Sequence, residues 1–259
     1  MSPWYSLEKK TIWVFGGAGY FGSAITEELD RAGTKTLCLD LPGKAGALVR
    51  QKKLSHVVAV DFDVTDIETL ESRLGGLMAQ HGVPDGVVYL PTASSAGKTL
   101  AELSKEEFSR TFDQGLTPVF VACRVFADRM KARGSGSIVL YASMYGIVSP
   151  DPRIYLLPNK PNPIDYGASK AALIQMNKYF AVHYAKSGVR FNAIAPGPFP
   201  HPGVQEKYPE FMKDLGAKNP MERIGRNTEV VGPTLMFLTD SASYVTGQCL
   251  SVDGGWTIW

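Results

Sequence analysis

Short continuous apolar runs alternate along the chain with longer stretches whose apolar residues recur at helical spacing. The short runs, rich in Val, Ile, Leu and Phe, read as strands buried on both faces. They are expected at Thr11–Phe15, Thr36–Asp40, Val57–Asp61, Gly86–Leu90, Ser137–Ala142, Arg190–Ile194 and Leu250–Val252. Helical patterns fall between them at Phe21–Ala32, Ile67–Gln80, Lys105–Ala132, Asp165–Lys186 and Thr228–Thr239. Such alternation predicts an α/β fold, a parallel sheet wrapped by helices. No repeat, low-complexity tract or linker divides the chain, so one domain over residues 1–259 is expected.

Two segments break the rhythm. Ile147–Pro163 carries five prolines, which excludes regular helix and central strand. Pro196–Pro220 is also rich in proline, with a short helix expected near Val204–Leu215. Both follow expected strands at their C-terminal ends, where open α/β sheets place their ligands. Residues 147–163 and 198–220 are therefore expected to be pocket loops.

The first strand runs into Trp13-Val-Phe-Gly16-Gly-Ala-Gly19-Tyr20-Phe21-Gly22, which opens a helix. At this spacing one glycine permits a tight turn, the next lets backbone approach a pyrophosphate, and the last lets helix pack on strand. The helix start then offers free N–H groups to phosphate. Asp40 ends the second strand, where its carboxylate can take both hydroxyls of an adenosine ribose and repel a 2′-phosphate. NAD is expected over NADP. Asp63 and Val64, after the third strand, are expected at the adenine edge.

Bulk properties narrow the choice further. A net charge of +2 without a basic run gives no reason to expect nucleic acid. Cys38, Cys123 and Cys249 have no paired spacing, which fits reduced thiols in a cytoplasm. His56, His81, His183 and His201 form no ligand-spaced cluster, so no metal is expected. No apolar stretch approaches the roughly 20 residues of a membrane span, and the first residues lack the order of a secretory signal.

The chemistry is expected at Tyr166-Gly-Ala-Ser-Lys170. The spacing alone is weak, since Tyr5 and Lys9 share it. Its company is what counts: Gly136-Ser-Ile-Val-Leu-Tyr-Ala-Ser143 upstream, and downstream Asn192-Ala-Ile-Ala-Pro-Gly197, Arg223-Ile-Gly-Arg226 and Tyr244-Val-Thr-Gly-Gln-Cys-Leu-Ser-Val-Asp-Gly-Gly255. With these blocks in order the chain resembles the short-chain dehydrogenase/reductase family over essentially its whole length. The resemblance implies a Rossmann-type doubly wound sheet of about seven parallel strands, and an NAD(H)-dependent interconversion of a secondary alcohol and a carbonyl. It implies Ser143, Tyr166 and Lys170 as catalytic residues. Tyr166 and Lys170 share a helix face one turn apart, so the ammonium is expected to lower the phenol's pKa; Tyr166 would move the proton, and Ser143 would hold the reacting oxygen. Lys170 would also hold the nicotinamide ribose. Tyr166, Pro91, Pro196, Gly197 and Phe199 join Gly16, Gly19, Tyr20, Phe21, Gly22, Asp40, Asp63 and Val64 beside the cofactor. Tyr145, Arg153 and His201 are candidate substrate contacts, and Lys160 shares the inserted loop with Arg153.

Three departures from the family pattern stand out. Tyr89-Leu-Pro-Thr92 replaces the single-domain members' Asn-Asn-Ala-Gly. Gly115, beside Gln114, aligns with an Asn thought to support a water in the proton relay, leaving Gln114 as a candidate substitute. Pro198-Phe199-Pro200 lacks the usual Thr. The 23-residue step from Ser143 to Tyr166 and the Gly19-Tyr-Phe-Gly22 turn look like the extended branch, which acts mostly on nucleotide sugars, so a sugar-like substrate is one reading. A dinucleotide-binding regulator without efficient chemistry, and a nucleotide-sugar enzyme with retained NAD, stay open as alternatives. The apolar end Gly254–Trp259 folds onto its own core or buries against another subunit. Because the family forms homotetramers or homodimers, burial against a subunit is favoured.

Overall fold

The computed structural model describes residues 3–155 and 160–259. Seven strands form one sheet, all neighbours parallel, in the order β3-β2-β1-β4-β5-β6-β7. They are β1 (Thr11–Phe15), β2 (Lys35–Asp40), β3 (Val57–Asp61), β4 (Gly86–Tyr89), β5 (Gly136–Tyr141), β6 (Val189–Pro196) and β7 (Cys249–Val252). The helices are α1 (Tyr20–Arg31), α2 (Lys44–Lys52), α3 (Ile67–His81), α4 (Lys105–Gly115), α5 (Thr117–Arg133), α6 (Ile164–Tyr184), α7 (Pro202–Lys207), α8 (Pro209–Ala217) and α9 (Val231–Leu238).

The sheet has a core on each face because its side chains alternate. In β1, Trp13 and Phe15 join the core under α3, α5 and α6, while Ile12 and Val14 face α1 and α9. Every β1 residue after Thr11 is buried, which explains a run with no polar alternation. Strand order reverses between β1 and β4, and the loops leaving their C-terminal ends diverge there. Gly16, Asp40, Leu90, Ser143 and Gly197 all lie at or just past such strand ends.

Several elements differ from the sequence pattern. Helix α2 was not expected: of its residues only Ala45 and Leu48 are buried, too few to mark a helical face. The expected helix Lys105–Ala132 is two helices, because Gly115 ends α4 and Pro118 opens α5, a position without need of its N–H. Pro209 divides the expected Val204–Leu215 helix into α7 and α8 in the same way. The 147–163 loop contains no regular element among its described residues, and its residues 156–159, Pro158 included, lie outside them. At the C-terminus Trp256 is buried with Met144, Tyr145 and Leu215. Ile258 and Trp259 stay exposed, with Trp259 Nε1 donating to the Lys218 carbonyl at 3.1 Å. Among the described residues no helix is long and apolar enough to cross a membrane, and no metal-ligand cluster occurs.

Candidate active site

Ser143 follows β5 and caps the 3-10 turn Met144–Gly146, its Oγ accepting from the Tyr145 N–H at 3.1 Å. Tyr166 and Lys170 lie one turn apart near the start of α6. Two glycines bring these elements together. A Cβ on Gly146 would fall 2.8 Å from the Lys170 backbone, and one on Gly167 would fall 2.9 Å from the Tyr145 carbonyl oxygen. Only bare backbone lets the Ser143 turn rest on α6.

Lys170 is buried. Its Nζ donates to the Tyr141 carbonyl at 2.6 Å and stands 5.7 Å from the centre of the Tyr166 ring. Burial pushes the Lys170 ammonium down to about 8. Burial pushes the Tyr166 phenol up, and its hydrogen bond with Ser143 offsets that only in part. The expected lowering of Tyr166 by its cation is thus corrected. In this site burial is the larger cause and the Ser143 hydrogen bond the only offset, while the ammonium spends a hydrogen bond on a β5 carbonyl.

These three side chains line a cavity of about 500 Å³. Its walls include Met144, Tyr145, Tyr155, Phe199, Phe211 and Leu215, and Lys160 and Asn162 add polar groups. Pro196 and Gly197 also line it. The Tyr145 and Tyr155 hydroxyls hydrogen-bond to each other. Arg153 and His201 do not line this cavity, contrary to expectation. Arg153 is exposed and folds back on Asp151, with Nη2 to Oδ2 at 2.7 Å. His201 is exposed and caps α7, accepting from the Gly203 N–H at 3.4 Å. Each is held by a partner two residues away along the chain. Lys160 does reach the cavity while paired with Glu102 at 3.0 Å.

A second cavity of about 360 Å³ adjoins the first, and Phe21, Leu90 and Thr92 border both. Gly16, Gly19, Tyr20, Gly22, Asp40, Asp63, Val64 and Pro91 line it. Gly16 holds φ +72, and a Cβ on Gly22 would lie 2.0 Å from the Gly16 carbonyl oxygen, so turn and helix require both glycines. No side chain caps α1 and its first turn has no acid, which leaves its N–H groups for an anion. Each Asp40 oxygen accepts one backbone N–H, from Ala18 at 2.9 Å and Leu41 at 2.8 Å. A carboxylate oxygen accepts more than one bond, so both remain able to take ribose hydroxyls. Asp63 instead turns its carboxylate onto Thr65, whose N–H and hydroxyl hold it below the usual range. These residues fit a nicotinamide dinucleotide lying along the strand ends.

One departure from the family pattern, Gly115, has a structural basis. A Cβ on Gly115 would stand 3.0 Å from the Ala93 backbone nitrogen, so the segment after β4 fills the space that an Asn side chain would need. Gln114 is exposed on α4 and does not substitute for it. Leu90, Thr92, Tyr155 and Asn162, not expected from the sequence, also line the cavities. Nothing local marks them, because loops of undefined course bring them in.

A family model described as Enoyl-(Acyl carrier protein) reductase matches residues 18–257. The 2,5-dichloro-2,5-cyclohexadiene-1,4-diol dehydrogenase of Sphingobium indicum is 30% identical over 255 residues, 97% of this chain and 98% of that protein. Among solved structures, a short chain dehydrogenase from Leptospira borgpetersenii with bound NAD+ superposes with a TM-score of 0.85 at 27% identity, covering 98% of this chain and 94% of the other. A chain from Beutenbergia cavernae with bound NADP at low occupancy superposes equally well, TM-score 0.85 at 28% identity, covering 98% of each chain. On the fold, the strand-end site and these likenesses together, this chain belongs to the short-chain dehydrogenase/reductase family of oxidoreductases.

Proposed function

We propose that the protein interconverts a secondary alcohol and a carbonyl by hydride transfer with NAD(H), using Ser143, Tyr166 and Lys170. One observation carries this reading: the cavity lined by those three residues shares the wall of Phe21, Leu90 and Thr92 with the glycine-rich cavity that Asp40 lines. The nicotinamide, when bound, accepts or supplies the hydride. The chain's own residues govern the proton and the geometry. With its pKa raised, Tyr166 is protonated at neutral pH and suited to give a proton to a carbonyl oxygen, or to take one back in the reverse direction. Ser143 Oγ, beside that phenol, orients the reacting oxygen. Lys170, still mostly charged at pH 7, stabilises oxyanion character on the phenol and is aligned by the Tyr141 carbonyl. Gly16, Gly19 and Gly22 with the start of α1 receive the pyrophosphate, and Asp40 selects the ribose that carries no 2′-phosphate.

The first cavity has room for a ring, and its aromatic walls suit a cyclic alcohol or a hydroxylated, sugar-like ring. The diol named for the Sphingobium relative supports that class. Exposed Phe120, Tyr179 and Val182 on α5 and α6 support association into a homodimer or homotetramer. Three free thiols, two of them buried, support a reducing, cytoplasmic location. A single domain over 1–259 is supported by the one continuous sheet.

The test is a fluorescence titration with NADH and with NADPH, followed by turnover of cyclic and open-chain ketones. Binding of NADH at least about tenfold tighter than NADPH, a difference of ~1.4 kcal/mol, with turnover of a ketone, is expected. Tighter binding of NADPH overturns the cofactor reading, and binding without turnover across the panel favours a regulator.

A further inference from the structure

We propose that Asp165 is a positioning residue: its carboxylate clamps the segment that follows β4 to the start of the helix carrying Tyr166. Asp165 has no exposed surface, although it lies in the first turn of α6. Its Oδ2 accepts from the Ser95 N–H at 2.9 Å and from the Thr111 hydroxyl of α4. Its Oδ1 has no partner among the described residues. Three pieces of chain thus meet at one oxygen. Thr111 lies one helical turn before Gly115, where the missing Cβ admits Ala93. Ala93 and Ser95 are therefore held at neighbouring points, by contact and by hydrogen bond.

The clamped segment matters because of what begins it. Leu90 and Thr92 border both cavities and Pro91 lines the second. On the other side of the clamp, Tyr166 is the next residue in the chain. A single carboxylate thereby sets the rim of the cofactor cavity against the phenol. Burying a carboxylate is costly unless donors satisfy it, and an apolar side chain would fill the seam more cheaply. Burial pushes the Asp165 carboxyl up, and bonds from Thr111 and Ser95 more than offset it. What the carboxylate adds over an apolar filler is a fixed distance between two working parts. The inference rests on the reading of Tyr166 as the proton donor for its catalytic consequence, and on geometry alone for the clamp.

The test compares Asp165→Ala, Asp165→Asn and Thr111→Val with the wild type, by amide hydrogen exchange at Ser95, by NADH affinity, and by kcat and KM on a ketone. In D165A the Ser95 amide is expected to exchange at least about tenfold faster, as a locally opened segment does. A displacement of ~1 Å at the reacting groups lowers kcat by roughly 100-fold. D165N keeps an oxygen for Ser95 and Thr111 and places its amide nitrogen at the unpartnered position. It is expected to restore Ser95 protection and bring kcat within about tenfold of wild type. Should D165A not fold, T111V decides, with faster Ser95 exchange and lower kcat at unchanged melting temperature expected. Wild-type exchange at Ser95 in D165A, or in T111V if D165A does not fold, overturns the clamp. So does a D165N as damaged as D165A. If the wild type turns over no ketone, the catalytic reading fails alone, and Ser95 exchange still decides the clamp.

Discussion

At the scale of single residues the site is governed by desolvation. Lys170 near 8 and a raised Tyr166 both follow from burial behind β5 and α6. Lys170 gives a signed pH effect. Between about pH 8 and the ~10.4 of free lysine, the unfolded chain binds more protons at this position than the folded one. Stability contributed at Lys170 therefore rises with pH across that window, and the full cost of the buried charge is felt below it. A Lys170→Met variant is expected to melt above the wild type at pH 7, by a margin that narrows toward pH 10. A margin independent of pH would remove Lys170 as a buried titrating group. Tyr166→Phe is expected to cut kcat by at least ~100-fold while NADH affinity stays within about threefold. Asp40→Ala removes hydrogen bonds to a charged group worth ~1.5–3 kcal/mol each. With two such bonds lost, NADH binding is expected to weaken by at least roughly 100-fold and selectivity against NADPH to fall, both read by titration.

Between elements, bare backbone at glycine decides how closely they approach. Gly146 and Gly167 bring the Ser143 turn onto α6, and Gly115 brings α4 onto the segment after β4. Restoring the family's Asn at position 115 is therefore not a gain. Gly115→Asn forces a Cβ against the Ala93 backbone, at about 1–3 kcal/mol for an overpacked contact. The expected result is a melting temperature lower by roughly 2–10 °C and no rise in kcat; an increase in turnover would show that the segment yields and that the space is functional. Proline explains the element boundaries that periodicity blurred. Pro118 and Pro209 each sit where a helix begins, so one apolar pattern becomes two helices. Helix α2 was illegible for the opposite reason, since two buried residues leave no face to read.

The whole molecule joins two cavities at the point where strand order reverses, so that the glycine-rich turn and Tyr166 lie on either side of the border formed by Phe21, Leu90 and Thr92. Its outer surface carries a second message. Tyr179 and Val182, three residues apart on α6, are 70% and 82% exposed, and Phe120 on α5 is half exposed. Such side chains in the open favour a covered state. A Val182→Glu variant is expected to halve, at least, the mass measured by light scattering at micromolar concentration. A wild type of monomer mass overturns the association, and an oligomer mass unchanged by Val182→Glu places the contact elsewhere, with Ile258 and Trp259 the next surface to test.

The sequence by itself determined the alternation of strands and helices and the glycine-rich turn, and it pointed to Asp40, Ser143, Tyr166 and Lys170, which the fold brings to the strand ends and their cavities. Each of these is a local pattern: apolar period, backbone freedom at glycine, or two side chains one helical turn apart. Only the tertiary structure decided that Arg153 and His201 stand outside the cavity while Tyr155 and Asn162 line it. The course of a proline-rich loop is set by partners remote in sequence. The direction of the Tyr166 shift was likewise a tertiary matter, because desolvation depends on everything packed around a group and not on its neighbour along the helix. Asp165 belongs with these. In the sequence it is one more acid in the first turn of a helix, and only the approach of Ser95 and Thr111 turns it into a buried junction.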